Sequence, residues 1–274
     1  MSKQLSNVTS DSVGDFYDDV AGLVEIFGGN LHNGYWYDDA DTTPWLEATN
    51  RLADIVTGKL EARPGQHVLD VGCGVGVPAV RLAQRTDARV TGITVSGWQV
   101  KEATARANSS GLRGQVRFEY GNAESLPYPA DEFDAVLAFD SLPHAADRGL
   151  WLREIARVLR PGGRYVITEF TADAPLTADD IEVLKFGEMS APLPVSGVLD
   201  TVTAAGLVVD EFVSCGDKIR RTFTEYFAHV ARRREALADA HGAEKVAMYE
   251  NGMRPLFDIC RTKMGYVIVA GHRP

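Results

Sequence analysis

The chain has 274 residues, a formal net charge of −10 and 45% hydrophobic residues, which is typical of a globular protein with a full core. The acidic balance argues against a nucleic-acid partner, because a phosphate backbone calls for a basic surface. No apolar run reaches the ~20 residues of a membrane span, no signal peptide opens the chain, and three cysteines are too few for a disulfide framework. We therefore expect a cytoplasmic protein.

The first 62 residues predict a helical cover. A helical pattern runs near residues 11–26, and a second runs from Pro44, which suits a first helical position, to Gly58. Between them, residues 31–37 form an aromatic loop with the sequence Leu-His-Asn-Gly-Tyr-Trp-Tyr. We expect this region to lie over a sheet, and its helices to be the contact surface if the chain forms a homo-oligomer.

The run from His67 to Gly76 predicts a ligand-binding turn. An apolar strand ends in Asp70, glycines follow at positions 72, 74 and 76, and a helical pattern starts at Val77. Glycine lets the backbone turn tightly and lets a ligand lie against it. Exposed N–H groups at the helix start favour a negative group. A dinucleotide fingerprint would need its third glycine at Val77, so we expect instead the carboxylate of a methionine-like moiety.

Strand and helix patterns alternate along the rest of the chain, which predicts a mostly parallel sheet covered by helices. The predicted strands lie near 67–72, 89–94, 116–121, 133–140, 163–170, 207–214 and 265–271. The predicted helices lie near 77–86, 97–110, 148–160 and 196–205, and the Arg-Pro-Gly-Gly sequence at 160–163 is expected to end the third of these.

Two further segments, 171–195 and 217–262, are helical in pattern, rich in Phe, Met, Leu and Pro, and inserted between late strands. Ligands of open α/β sheets bind outside the carboxyl ends of the strands, where a cover excludes water. We therefore divide the chain into a cover (1–62), a ligand-binding core (63–170), and the remaining core strands with an inserted substrate lid (171–274).

Four motifs in order resemble those of the class I S-adenosylmethionine-dependent methyltransferases. They are Val68–Gly76, Gly121–Tyr128, Phe133–Ala138 and Val158–Gly163. The resemblance covers nearly the whole chain and implies a Rossmann-like, seven-stranded α/β fold. Within that class the chain resembles the family of the rebeccamycin sugar O-methyltransferase most, and sterol C-methyltransferases and cyclopropane mycolic acid synthases less closely. The closer resemblance rests on residues 31–36, 90–96, 141–149 and 265–268.

The resemblance implies S-adenosyl-L-methionine as cofactor and S-adenosylhomocysteine as product. The residues it assigns to the cofactor are Tyr17, Trp36, Asp70, Gly72, Gly74, Thr94, Gln99, Asn122, Ala123, Glu124 and Phe139. Thr94 stands where many class I enzymes have a ribose-binding acid, so Thr94 and Gln99 would hold the ribose as neutral groups. Asn122 would accept a hydrogen bond from the adenine amino group. Tyr17 and Trp36 would close over the sulfonium, or would simply pack the cover.

Two residues are candidates for the chemistry of methyl transfer. His144 follows the fourth strand, and its imidazole could take the proton of an alcohol acceptor. Glu169, near the end of the fifth strand, could orient that imidazole or take the proton itself, although strand-end carboxylates often cap nearby N–H groups. His32 is the other credible functional histidine. Asp38, Asp39 and Asp41 are interpreted as a solvated turn, and no metal site is expected.

We expect methyl transfer to a hydroxyl of a small, partly apolar natural product. The sugar O-methyltransferase has two adjacent histidines where this chain has Pro143-His144, so the acceptor atom stays open. The alternative is methylation of an alkene carbon on a prenyl or terpenoid chain, with or without cyclisation. Remote alternatives are a nucleic-acid methyltransferase and a binding module without catalysis.

Overall fold

The computed structural model describes residues 8–21 and 32–274. Seven strands form one sheet in the order β3-β2-β1-β4-β5-β7-β6, in which all neighbours are parallel except that β7 runs antiparallel to β5 and β6. The strands are β1 (His67–Val71), β2 (Arg89–Thr94), β3 (Val116–Tyr120), β4 (Phe133–Ala138), β5 (Leu159–Ala172), β6 (Val208–Ser214) and β7 (Met264–His272). The predicted mostly parallel, seven-stranded sheet is confirmed.

Helices cover both faces of this sheet. In chain order the described helices are α1 (Ser10–Asp19), α2 (Trp45–Gly58), α3 (Val77–Thr86), α4 (Gly97–Ser109), α5 (Arg148–Val158), α6 (Ala178–Leu184), α7 (Val195–Ala204), α8 (Gly216–Ile219), α9 (Thr222–Arg232), α10 (Arg234–His241) and α11 (Ala243–Lys263), with 3₁₀ turns at Leu142–His144 and Lys185–Gly187. No helix in the described ranges is long and apolar enough to cross a membrane.

The core has one layer on each face of the sheet because side chains of a strand alternate between faces. Val68 of β1 belongs to the cluster that includes α3, whereas its neighbour Leu69 packs with Ile155 of α5 on the other face. Strands β1, β2 and β4 are almost fully buried, as expected for parallel strands covered on both sides, whereas the edge strand β3 is buried only at Val116 and Phe118.

Three boundaries differ from the prediction. The described part of the first helix ends at Asp19, and residues 22–26 of the predicted helix lie outside the described residues. Pro44 is the N-cap of α2 rather than its first residue. Helix α5 ends at Val158, and the Pro-Gly-Gly segment already belongs to β5, because the backbones of Gly162 and Gly163 are hydrogen-bonded to Arg273 beyond β7.

Candidate active site

A pocket opens at the carboxyl ends of β1, β2 and β4, the edge that the alternation of strands and helices predicted. Its walls include Gly74 of the loop after β1 and Tyr17 of α1. Cover residues from the later helices, such as Phe223 of α9 and Met253 of α11, close the remaining side. The pocket therefore lies between the sheet edge and both regions that were predicted to cover it.

The glycines of the loop after β1 differ in what surrounds the position of a side chain. A Cβ at Gly72 would lie 2.3 Å from Cβ of Ser141, and one at Gly76 would lie 2.5 Å from the ring of Phe118. Packing therefore excludes side chains at these two positions. A Cβ at Gly74 would meet only the amide nitrogen of Gln99, at 4.0 Å. Gly72 and Gly74 both line the pocket, but the open space beside the backbone is at Gly74.

Thr94 and Gln99 form one hydrogen-bonded unit on the pocket wall. The hydroxyl of Thr94 donates to Oε1 of Gln99 at 2.5 Å, and Ser96 caps α4 by accepting from the backbone N–H of Gln99. Both side chains are buried and line the pocket. Because Oε1 is held by Thr94, the amide nitrogen of Gln99 is the part of this unit that faces the open side of Gly74.

Only part of the segment that follows β3 lines the pocket. Ala123 lines it, whereas Asn122 and Glu124 lie outside the lining. Oδ1 of Asn122 already accepts from the hydroxyl of Ser10 at 3.0 Å and from the N–H of Glu124 at 2.9 Å. Oδ1 of Asn122, the atom expected to accept from the adenine, thus already has two donors, one of which belongs to α1.

Asp70 lies under the loop as a buried carboxyl with an uncompensated oxygen. It is 2% exposed, and its Oδ2 has no hydrogen-bond partner within residues 8–21 and 32–274. Burial raises the pKa of Asp70 to about 7, and the nearby His32 partly offsets this effect. A positively charged group brought to the loop would be stabilised by this carboxyl.

The two aromatic residues expected over the sulfonium have different positions. Tyr17 lines the pocket. Trp36 does not, because its ring is buried in the cover, where Nε1 donates to the carbonyl of Thr43 at 2.8 Å and Arg221 lies over its face. The packing alternative thus describes Trp36. Phe139, which follows β4, is buried and lines the pocket.

His144 lies in the pocket with a partner at each ring nitrogen. Nδ1 is 2.7 Å from the carbonyl oxygen of Glu188, which can only accept, so Nδ1 carries a proton. Nε2 is 3.0 Å from the hydroxyl of Tyr17 and accepts from it. Burial lowers the pKa of His144, and the hydrogen bond to Glu188 and the charge of Asp140 offset this only in part. The imidazole is therefore neutral at pH 7 and can accept a proton.

Glu169 does not orient His144. Its side chain is fully buried and forms a 2.7 Å ion pair with Nε of Arg148, and it also accepts from the N–H of Phe170. It lies outside the pocket lining. Arg148, the first residue of α5, is the partner that orients this carboxylate instead. Burial raises the pKa of Glu169, and Arg148 counteracts that rise.

The sequence analysis missed Asp140, which lies in the pocket beside His32. Nδ1 of His32 is 3.1 Å from Oδ2 of Asp140, and the imidazole stacks on the ring of Phe139. Asp140 has a positive φ of 54°, which is unusual for a residue other than glycine and is found most often at functional sites. Its position two residues after β4, at the ligand edge, was the signal that could have identified it.

The cover side of the pocket is apolar and aromatic. It includes Phe170, Phe223, Tyr249, Met253, Leu256 and Phe257. The described lining contains Asp140 and the two histidines but no Lys or Arg, so nothing on this wall would neutralise a phosphate. In the described ranges no group of three His, Cys, Asp or Glu side chains has a metal-binding arrangement.

Comparisons with known proteins agree with this geometry. The family model described as a methyltransferase domain matches residues 69–167. The 27-O-demethylrifamycin SV methyltransferase of Amycolatopsis mediterranei is 38% identical over 249 residues, which are 89% of this chain and 80% of that protein. The O-methyltransferase resE of Aspergillus sclerotiorum is 37% identical over 77% of this chain and 81% of its own length. The crystal structure of the [4+2]-cyclase SpnF superposes with a TM-score of 0.84 at 32% identity, covering 98% of this chain and 97% of that one.

Proposed function

The chain belongs to the class I S-adenosylmethionine-dependent methyltransferases, and from this membership we propose that it methylates a hydroxyl oxygen of a small, partly apolar natural product. The chain is an enzyme of this class, and its cofactor is S-adenosyl-L-methionine. Relatives at 37–38% identity are named as O-methyltransferases. The observation that carries the proposal is an apolar pocket whose lining includes two imidazoles and the open side of Gly74.

The residues around Gly74 fit the cofactor. We propose that its amino-acid end lies against Gly74, where a side chain is missing, and that the carboxyl of Asp70 favours its ammonium group. The amide of Gln99, oriented by Thr94, would hold the ribose, and Ala123 would contact the adenine. When bound, this cofactor supplies a methyl group on a positively charged sulfur, which is a reactive electrophile.

The character of the cover wall restricts the acceptor. Side chains such as Phe223, Met253 and Leu256 favour an apolar skeleton, and burying it stabilises the complex by ~25 cal/mol per Å² of apolar surface. A phosphorylated acceptor is disfavoured, because the described lining contains no Lys or Arg and the carboxylate of Asp140 at the sheet edge would repel a phosphate. We therefore propose an uncharged acceptor that presents one hydroxyl toward Gly74.

A hydroxyl acceptor loses its proton as the new bond forms, and a neutral imidazole is a suitable proton acceptor at neutral pH. The sequence predicts His144 for this role, and His144 does face the pocket. The hydroxyl of Tyr17 lies on its Nε2, however, so an acceptor reaches that nitrogen only by displacing Tyr17 or through its oxygen. His32 is the second imidazole in the described lining.

The experiment is transfer of a ¹³C-labelled methyl group from S-adenosylmethionine to 27-O-demethylrifamycin SV and to a panel of uncharged terpenoid and polyketide alcohols. We expect the label in the methoxy region of the ¹³C NMR spectrum of the product. The matched control is each acceptor with its hydroxyl replaced by hydrogen, which should remain unlabelled.

Two other results would contradict the proposal. Label in an aliphatic methyl group would indicate alkene methylation. A rearranged, unlabelled acceptor would indicate cyclisation, the activity that the name of the [4+2]-cyclase SpnF states.

The proposal also includes the compartment, the partners and the domain division that the sequence predicts. We propose a cytoplasmic enzyme that acts on a small molecule and not on nucleic acid, with the cover, core and lid divided at residues 62 and 170. We also propose that any homo-oligomer forms through the N-terminal helices.

A further inference from the structure

His32 and Asp140 form a carboxylate–imidazole pair inside the pocket. Nδ1 of His32 is 3.1 Å from Oδ2 of Asp140, and both side chains are largely buried, at 17% and 15% exposure. The ring of His32 lies parallel to that of Phe139, with 4.1 Å between centroids. The imidazole is thus held at one edge by a carboxylate and on one face by an aromatic ring, which fixes its orientation.

The carboxylate of this pair is itself held in place. Oδ1 of Asp140 accepts from the hydroxyl of Thr168 at 3.0 Å and from the hydroxyl of Tyr266, and Oδ2 also receives the N–H of Asn33. Burial alone would raise the pKa of Asp140, but the hydrogen bonds from His32, Tyr266 and Thr168 lower it. Asp140 therefore stays ionised at neutral pH.

The ionised carboxylate determines which nitrogen of His32 is basic. A carboxylate only accepts hydrogen bonds, so the proton of neutral His32 is on Nδ1 and the basic electron pair is on Nε2. The same carboxylate stabilises the imidazolium that forms when Nε2 takes a proton.

The surroundings of His144 are less favourable to a base. Its Nδ1 donates to the neutral carbonyl of Glu188, and its Nε2 accepts from the hydroxyl of Tyr17. Among the residues that the structure describes, no carboxylate is hydrogen-bonded to this ring. Its contacts connect α1 to the segment around Glu188, which suits a residue that positions the cover.

On the basis of the proposed hydroxyl acceptor, we propose that His32 is the catalytic base and that Asp140 is the residue that positions it. The acceptor oxygen forms a bond to the methyl carbon, and the carbon–sulfur bond breaks with its electron pair remaining on sulfur. The hydroxyl proton passes to Nε2 of His32, and the resulting imidazolium releases it to solvent after the product leaves. Asp140 remains a carboxylate throughout.

The first test does not depend on the acceptor. Long-range ¹H–¹⁵N NMR of the full chain with S-adenosylhomocysteine bound should show the Nδ1–H tautomer at His32, assigned by its absence from the His32→Gln spectrum. Asp140→Asn presents an amide that can donate to Nδ1, so the Nε2–H tautomer should increase. An Nε2–H tautomer at His32 in the wild-type protein would overturn the inference.

The second test uses the acceptor that gives a methoxy product in the labelling experiment. We expect His32→Gln and Asp140→Asn each to lower kcat ~10²–10⁴-fold, with calorimetric affinity for S-adenosylmethionine changed less than about tenfold. His144→Gln should cause a smaller loss. The matched control is His272→Gln, since His272 and Asp210 form a similar pair at 2.9 Å at the far end of β7.

The outcomes separate the two proposals. Wild-type kcat in His32→Gln, or a larger loss in His144→Gln, overturns the role of His32 while O-methylation stands. Label on a carbon overturns the hydroxyl acceptor. In that case the activity of His32→Gln is measured as formation of the carbon-methylated product. Activity equal to that of the wild-type protein would overturn the role of His32 as well.

Discussion

Gly72 and Gly74 differ in what occupies the direction of a side chain, although both have positive φ values. At Gly72 the protein fills that direction with Ser141, so the glycine is required for folding. At Gly74 the direction is open toward the pocket, so the glycine is required for the ligand. A sequence pattern of alternating glycines does not distinguish these two reasons, because Ser141 is about 70 residues away in the chain.

We therefore expect Gly74→Val to abolish measurable binding of S-adenosylmethionine in calorimetry, because its methyl groups would occupy the cofactor space. Gly74→Ala should weaken binding less. The backbone at Gly74 has a φ of 53°, which strains any side chain. Gly111→Val is the matched control, since Gly111 has a φ of 74° with no atom within 4 Å of its Cβ direction. Both valine variants should lose similar stability, and equal cofactor affinity in the two would contradict the assignment.

At the scale of elements, helix α1 connects several loops of the ligand edge. Ser10 donates to Asn122 after β3, and Ser12 donates to Glu188 at 2.6 Å in the segment after α6. Tyr17 contacts His144 after β4. One helix thus contacts the segments after β3, β4 and α6, so it links the part of the pocket proposed to hold adenine with the part proposed to hold the acceptor.

Removing one of these contacts should loosen the cover without changing the sheet. We expect Glu188→Ala to raise the dissociation rate of S-adenosylmethionine ~2–10-fold in stopped-flow measurements, the effect of one lost hydrogen bond. The backbone carbonyl that binds His144 is kept in this variant. Glu182→Ala is the control, because Glu182 is an exposed acid of α6 whose ion pair among the described residues is with Lys185, three residues away. Equal dissociation rates in both variants would show that the contact of α1 with Glu188 does not retain the cofactor.

At the scale of the whole molecule, the sequence predicts what is local and periodic. Strands β1–β4 and helices α3–α5 follow from their hydrophobic patterns, and the pocket edge follows from the parallel topology. The sequence does not predict contacts between distant segments. Asp140 was missed because His32, Thr168 and Tyr266 meet only in the folded chain, and Trp36 was misplaced because Arg221 covers it from α9's N-terminus.

Glu169 shows the same limitation and gives the last prediction. Its carboxylate is fully buried, and Arg148, at 10% exposure, lies 2.7 Å away and also donates to the carbonyl of Ser190 at 3.4 Å. This pair therefore joins the centre of the sheet to the lid. Removing one partner of a buried ion pair leaves an uncompensated charge, so Arg148→Met should lower the free energy of unfolding by about 3–5 kcal/mol at neutral pH.

The pH dependence of this loss follows from the raised pKa of Glu169. The folded state holds the proton of Glu169 more tightly than the unfolded state does. The free energy of unfolding therefore falls as pH rises from the ordinary carboxyl pKa through the pKa of Glu169 in the folded state. Without Arg148 the pKa of Glu169 in the folded state rises further, so the pH range over which stability is lost extends to higher pH. Urea unfolding should thus show a larger loss in Arg148→Met at about pH 8 than at about pH 5. Adding Glu169→Gln should remove this difference, and a loss independent of pH in the single variant would mean that Arg148 stabilises the fold by packing instead of by charge.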